Sequence, residues 1–299
     1  MGKTREELQR IMGAPPSYSQ PASGRLIGVE DKGSFILERL ILDINGYEPV
    51  PALFTRPKDG KKPYPVVLFN HSHGNVFEIG KTELISGCDY MLNRGYAYDL
   101  ADAGIAALCI DHMCFEERSG RTETFMFKKL LWDGYVMWTW MVYDSLRAID
   151  YLCSRQDIDS ERIATVGMSM GSVMTQWVAA LDTRIKVCVD LCCMSNFDEL
   201  IRQGRYDQHG VYYYVPGLHK HFSSADINTL IAPRAHLCIA GIYDSHTPGS
   251  GLDQDEEILG QVYSELGAAE KWMLKRYPVG HLETQEMRVD ALTFIQRYL

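Results

Sequence analysis

The chain has 299 residues, 46% of them hydrophobic, and a formal net charge of −9. That length supports one large α/β domain with a full core, or two small ones. No Lys/Arg run exceeds two residues and no apolar stretch reaches membrane-spanning length, which argues against a nucleic-acid groove, an anionic membrane surface or a spanning helix.

Residues 1–24 read as an N-terminal arm, a short amphipathic helix followed by Ala14-Pro15-Pro16-Ser17. The charged start Met1-Gly2-Lys3-Thr4-Arg5-Glu6-Glu7 has no apolar stretch of the signal-peptide kind. Residues 25–45 are strand material, Asn45-Gly46 is a hairpin turn signal, and 50–54 is the return strand. A polar turn over 57–65 leads to a buried strand at 65–70, which ends in His71-Ser72-His73-Gly74-Asn75. A helix is expected at 81–93, a buried strand at 104–111, a less regular polar-aromatic stretch at 113–133 and a long helix at 135–154. Residues 162–166 form a short β-branched strand and 172–181 a helix. Further strands are expected at 186–192, 234–241 and 271–277, with an aromatic excursion at 195–230 and helices at 253–267 and 283–298. Strands alternating with helices imply a parallel sheet covered on both faces. With no repeat, linker or low-complexity tract, 1–299 reads as one domain.

Eight cysteines are present and none forms a C-x-x-C pair. Most lie in apolar runs, so buried free thiols and a cytoplasmic setting are expected. Vicinal Cys192-Cys193 should point to opposite faces of a strand.

Gly167-Met168-Ser169-Met170-Gly171 stands between the 162–166 strand and the 172–181 helix. That context makes G-x-S-x-G a nucleophile elbow, where a sharp turn strains the serine and only small residues fit beside it. A serine hydroxyl needs a general base, and the base needs an orienting acid. Asp244 ends a buried strand, and His281 follows the last strand behind Gly280. Both fall where open parallel sheets place their sites, at the carboxyl ends of strands. Asp190 is the rival acid, but it lies inside an apolar run. Two amides must converge on the developing oxyanion. Met170 offers one at the helix start, and the 71–74 loop offers the other, best placed at His73.

On these residues the chain resembles the α/β-hydrolase superfamily, within it the dienelactone hydrolase and acetyl xylan esterase-like branch, over about residues 35–299. Besides the elbow, the resemblance is carried by Asp144-Ser145-Leu146-Arg147-Ala148-Ile149-Asp150-Tyr151-Leu152, by Asp157-Ile158-Asp159-Ser160-Glu161-Arg162-Ile163, by Ala179-Ala180-Leu181-Asp182-Thr183-Arg184-Ile185 and by Ile231-Ala232-Pro233-Arg234. It implies an α/β-hydrolase fold with a mostly parallel sheet of about eight strands. It implies ester hydrolysis through an acyl-enzyme, with no metal and no cofactor. Ser169 would be the nucleophile, His281 the base, Asp244 its partner, and His73 and Met170 the oxyanion donors. Two departures stand out. Ser72 occupies the position where the branch usually has glycine, and dienelactone hydrolases proper use cysteine where this chain has Ser169.

The excursions at 113–133 and 195–230 should roof the site, with Tyr212, Tyr213 and Tyr214 lining a cleft for a small-molecule ester or a contact between subunits. A small acyl side and a broad aromatic alcohol side are expected, hence short-acyl esters. A thioesterase, deacetylase or peptidase would use the same triad. Rivals of another kind are a metal hydrolase, built on His71-Ser72-His73 and Asp111-His112, and a ligand-binding protein that keeps the triad. Against the former, Asn75 stands where the extended metal pattern has aspartate.

Overall fold

The computed structural model describes residues 3–192 and 194–299. Thr4 caps α1 (Arg5–Met12) by accepting the Glu7 amide at 3.1 Å. The arm docks through buried Leu8 and Met12, and Arg5 Nε donates to the Ala180 carbonyl at 2.8 Å. The single run expected at 25–45 is a hairpin of β1 (Ser23–Asp31) and β2 (Phe35–Asp43). Its turn closes locally, with Asp31 Oδ1 accepting the Gly33 amide at 2.9 Å. β3 (Val50–Pro57) and β4 (Tyr64–Asn70) follow as expected.

The helix expected at 81–93 is not one helix. α2 (Glu83–Ser86) stops after four residues, and α3 (Tyr96–Asp102) begins only after an irregular stretch. Gly87 ends α2 at φ +65°, and a Cβ there would lie 2.0 Å from the Leu92 carbonyl oxygen. The chain folds back on itself there, so the apolar periodicity does not continue as helix. β5 (Ala106–Ile110) is wholly buried. The stretch read as irregular holds the ten-residue α4 (Glu123–Trp132), capped by Thr122. Only Met126 and Leu130 of α4 are buried while Phe125, Leu131 and Trp132 are exposed, so it shows no clean apolar stripe.

α5 (Met137–Ser154), β6 (Ile158–Met168), α6 (Met170–Leu181) and β7 (Ile185–Leu191) form the centre. α7 (Phe197–Arg202) and α8 (Ser224–Thr229) lie in the 195–230 excursion. β8 (Ala235–Gly241), α9 (Gly249–Glu265), β9 (Trp272–Tyr277) and α10 (Gln285–Tyr298) complete the chain. Cys192 lies just beyond the last residue of β7, at φ +53°, rather than in a strand. Cys193, and so the other half of the vicinal pair, lies outside the described residues.

Among the described residues, nine strands make one sheet in the order β1-β2-β3-β5-β4-β6-β7-β8-β9. The first three pairings are antiparallel and all those from β5 to β9 parallel. The count exceeds the expected eight because of the opening hairpin. Successive β4 side chains go to different apolar clusters, since neighbours along a strand face opposite ways. Val66 and Leu68 join Trp138, Met141 and Trp177 of α5 and α6, while Val67 and Phe69 join Tyr96, Leu100, Met287 and Phe294 of α3 and α10. Among the described residues no helix is long and apolar enough to cross a membrane.

Candidate active site

Ser169 sits between β6 and α6 with φ +57° and ψ −119°, a backbone state that a side chain normally avoids. Its neighbours enforce it. A Cβ on Gly171 would lie 2.0 Å from the Asn70 carbonyl oxygen, and one on Gly167 would lie 2.4 Å from the Gly171 oxygen. The end of β4, the end of β6 and the start of α6 therefore meet backbone to backbone. Asn70 Nδ2 ties them together by donating to Thr165 Oγ1 and Thr175 Oγ1, both at 2.9 Å.

Asp244 lies just beyond β8 and is buried. Its Oδ2 accepts His281 Nδ1 at 2.7 Å, while Oδ1 accepts the His246 amide at 2.9 Å and His246 Nδ1 at 3.2 Å. Burial pushes its pKa up, but the hydrogen bonds from His246 and His281 outweigh it and hold the carboxyl well below the usual carboxylate range. The loops after β8 and β9 run together, with the Tyr243 amide on the Val279 carbonyl at 2.9 Å. That pairing brings Asp244 and His281 into register.

Ser169, Met170, His73 and His281 line one cavity of about 600 Å³. With Nδ1 donating to Asp244, neutral His281 keeps Nε2 as an acceptor on that cavity. Among the described residues no hydrogen bond joins Ser169 Oγ to the His281 ring, although both line the cavity. Such couples commonly tighten only when substrate binds.

The 71–75 loop faces Ser169 across the cavity and is held from several directions. His71 Nδ1 donates to the Ser72 carbonyl at 2.8 Å, and its Nε2 accepts the His112 amide at 3.0 Å. Burial pushes its pKa down to about 4, so the ring is neutral and braces the loop. Ser72 donates its amide to Glu83 Oε1 at 3.0 Å, and its hydroxyl bonds the Glu83 carboxylate and the Tyr90 hydroxyl. A glycine there could not make the hydroxyl contacts. His73 Nε2 bonds Glu123 Oε1 at 2.6 Å, its Nδ1 accepts the Asn75 amide at 2.9 Å, and its carbonyl accepts the Val76 amide at 2.9 Å. Among the described residues the backbone amides of His73 and Met170 have no hydrogen-bond partner. The Met170 amide also belongs to the first turn of α6, where the helix dipole favours negative charge.

Tyr212 and Tyr213 line the cavity and pack on Trp138 at ring distances of 5.8 and 5.4 Å. Tyr214 does not line it; it packs on Tyr206 and borders a neighbouring groove with Phe127 and Phe197. Glu123, Asp207, Gln208, His209, Ser245 and His246 add to the polar lining. The sequence reading missed Glu123 and His209. Thr122-Glu123 is a helix-start signal, but nothing local says that its carboxylate meets a histidine 50 residues earlier.

The rival groups are placed elsewhere. Asp190 is buried and accepts His236 Nε2 at 2.6 Å and Gln176 Nε2 at 3.1 Å, away from the cavity. His71 and His112 pack on each other in the core, and Asp111 is bound by Lys81 Nζ at 2.8 Å. These histidines and Asp111 do not converge as a ligand set among the described residues.

The sequence profile described as acetyl xylan esterase (AXE1) matches residues 39–225, which includes the elbow and stops short of Asp244 and His281. The protein named "Putative hydrolase YtaP" of Bacillus subtilis (strain 168) is 46% identical over 295 residues, covering 99% of this chain and 98% of that one. Among solved structures, a glucuronoyl esterase from Solibacter usitatus superposes with a TM-score of 0.69 at 16% identity, over 98% of this chain and 91% of its own. An acetyl xylan esterase from Paenibacillus sp. R4 superposes with a TM-score of 0.67 at 18% identity, over 99% and 93%. At these identities the structural likeness shows a common fold.

Proposed function

The chain belongs to the acetyl xylan esterase family and is a carboxylic ester hydrolase, and from that premise we propose that it cleaves short-acyl esters through an acyl-enzyme formed on Ser169. His281 Nε2 takes the Ser169 proton as Oγ attacks the ester carbonyl. Asp244 holds the imidazole in the Nδ1–H tautomer and stabilises the imidazolium. The His73 and Met170 amides hold the oxyanion of the tetrahedral intermediate. His281 then gives its proton to the leaving alcohol, and a water molecule activated by the same nitrogen releases the acid.

One observation carries this reading: His281, paired with Asp244 at 2.7 Å, lines the same cavity as the strained Ser169. The short acyl group follows from the acetyl ester in the family's name. On the alcohol side, Glu123, Asp207, Gln208, His209 and Tyr212 suit a hydroxylated alcohol, and no Lys or Arg lines the cavity, so a neutral ester fits better than an anionic one. The continuous nine-stranded sheet supports one domain over 1–299. The seven described cysteines are all free, which supports a cytoplasmic setting.

A panel of acetyl, butyryl and octanoyl aryl esters, an acetylated xylo-oligosaccharide, an acetyl thioester and an anilide, run on wild type and Ser169→Ala, tests it. Acetyl esters should turn over fastest, and Ser169→Ala should lose at least about 10³-fold. A preference for octanoyl esters or anilides would overturn the short-acyl ester reading. Near-wild-type activity in the variant would overturn the nucleophile.

A further inference from the structure

Asp244 holds two histidines rather than one, and the second is not needed for proton transfer. His246 Nδ1 and His281 Nδ1 approach the two oxygens of one carboxylate, at 3.2 and 2.7 Å, with their rings 4.6 Å apart. The three donor atoms lie within 4.8 Å of one another. We propose that Asp244, His246 and His281 form a binding site for a zinc-type divalent cation, and that filling it switches the esterase off. Its effect on activity rests on the triad reading; the binding itself does not.

Two imidazoles and a carboxylate are a familiar three-ligand zinc set that leaves one position open. A tetrahedral ion with bonds of about 2.0–2.1 Å spaces its donors roughly 3.3 Å apart. The present separations, 2.7 Å from His281 Nδ1 to Oδ2 and 3.2 Å from His246 Nδ1 to Oδ1, both fall short of that spacing, so the rings must swing outward to admit an ion. A fourth donor stands nearby. The His209 ring is 5.9 Å from that of His246, and its Nε2 is buried without a hydrogen-bond partner. His209, His246 and His281 all line the cavity beside Ser169, which gives an ion a way in.

Two other clusters are less suited. Asp111, Glu116 and Glu117 already surround Lys81 Nζ at 2.8, 2.5 and 2.7 Å, so a cation is built in. Cys188, Asp190 and His236 are fully buried, and His236 is committed to Asp190.

The switch follows from proton bookkeeping. In the working state His281 carries its proton on Nδ1 and accepts the serine proton on Nε2. An ion needs the Nδ1 lone pair, so the proton moves to Nε2 with no net release. Nε2 is then a donor and cannot take the serine proton. No covalent bond is made, so a chelator reverses the block.

Zinc chloride titrated into the full-length protein, followed by calorimetry and by acetyl-ester cleavage, tests this. Wild type should bind one Zn²⁺ and lose activity over the same concentrations, and EDTA should restore it. Ser169→Ala should bind Zn²⁺ like wild type, while His246→Gln should bind at least about tenfold more weakly. No binding at millimolar zinc, or equal binding by His246→Gln, overturns the site. Zinc bound here with undiminished ester cleavage overturns the switch and the role of His281. Zinc-edge X-ray absorption on wild type needs no variant: two or three imidazoles in the shell support the site, and a sulfur-rich or all-oxygen shell overturns it.

Discussion

Two carboxylates near the cavity have been driven in opposite directions by their surroundings. Asp244 is buried, yet hydrogen bonds from His246 and His281 keep it ionised. Its substitution by Asn removes the acceptor that fixes the His281 tautomer. Asp244→Asn should lower kcat by roughly 10⁴-fold with the fold intact, as steady-state kinetics and circular dichroism would show. Glu83 is also buried, and burial raises its pKa to about 7 from the ordinary 4.5. The folded chain therefore binds this proton more tightly than the unfolded chain. The stabilisation is full below pH 4.5 and is lost as pH rises through about 7. Glu83→Gln should flatten that slope in urea unfolding measured from pH 5 to 8; an unchanged slope would mean that Glu83 does not titrate there. The placement of Ser169, Asp244 and His281 at one sheet edge was legible because each follows the end of a strand and the serine carries its own local pattern. Glu83, Glu123 and His209 were not, since each acquires its role only through a partner distant in sequence.

Among the elements, the junction of β4, β6 and α6 does most to shape the site. It leaves no volume at Gly171, where a Cβ would meet the Asn70 carbonyl oxygen at 2.0 Å. Gly171→Ala must push the backbones apart, and a destabilisation of about 1–3 kcal/mol is expected in urea unfolding, together with lost activity. α4 contributes differently, by carrying Glu123 to His73. Breaking that contact with Glu123→Ala should lower kcat more than it raises KM if the loop amide holds the oxyanion of the transition state as proposed. Glu123→Gln, which can still accept from His73 Nε2, should restore much of the loss; equal loss in both variants would leave the charge, not the hydrogen bond, as what matters. The elbow strand and helix were legible from periodicity and flanking glycines. α4 was not, because its exposed Phe125, Leu131 and Trp132 blur the apolar stripe. The helix expected at 81–93 failed at Gly87, whose turn brings its backbone against Leu92.

At the scale of the molecule, the candidate site is gathered at one rim. Ser169 follows β6, the 71–75 loop follows β4, Asp244 follows β8 and His281 follows β9, and these strands run parallel in one sheet. Parallel strands place all their carboxyl ends on the same edge, so residues 169, 244 and 281 come to one edge without being neighbours in sequence. The alternation of strands and helices made that edge legible. The opening hairpin of β1 and β2 was read as one run, because alternation along a strand does not reveal where a three-residue turn divides it. The most direct test is to quench the wild-type enzyme during turnover of an acetyl ester and map the acetyl group by peptide mass spectrometry. The acetyl group should be found on Ser169 and should be absent from Ser169→Ala, which should no longer turn over the ester. Acetyl on another residue, or steady turnover by Ser169→Ala, would contradict a serine acyl-enzyme at this elbow.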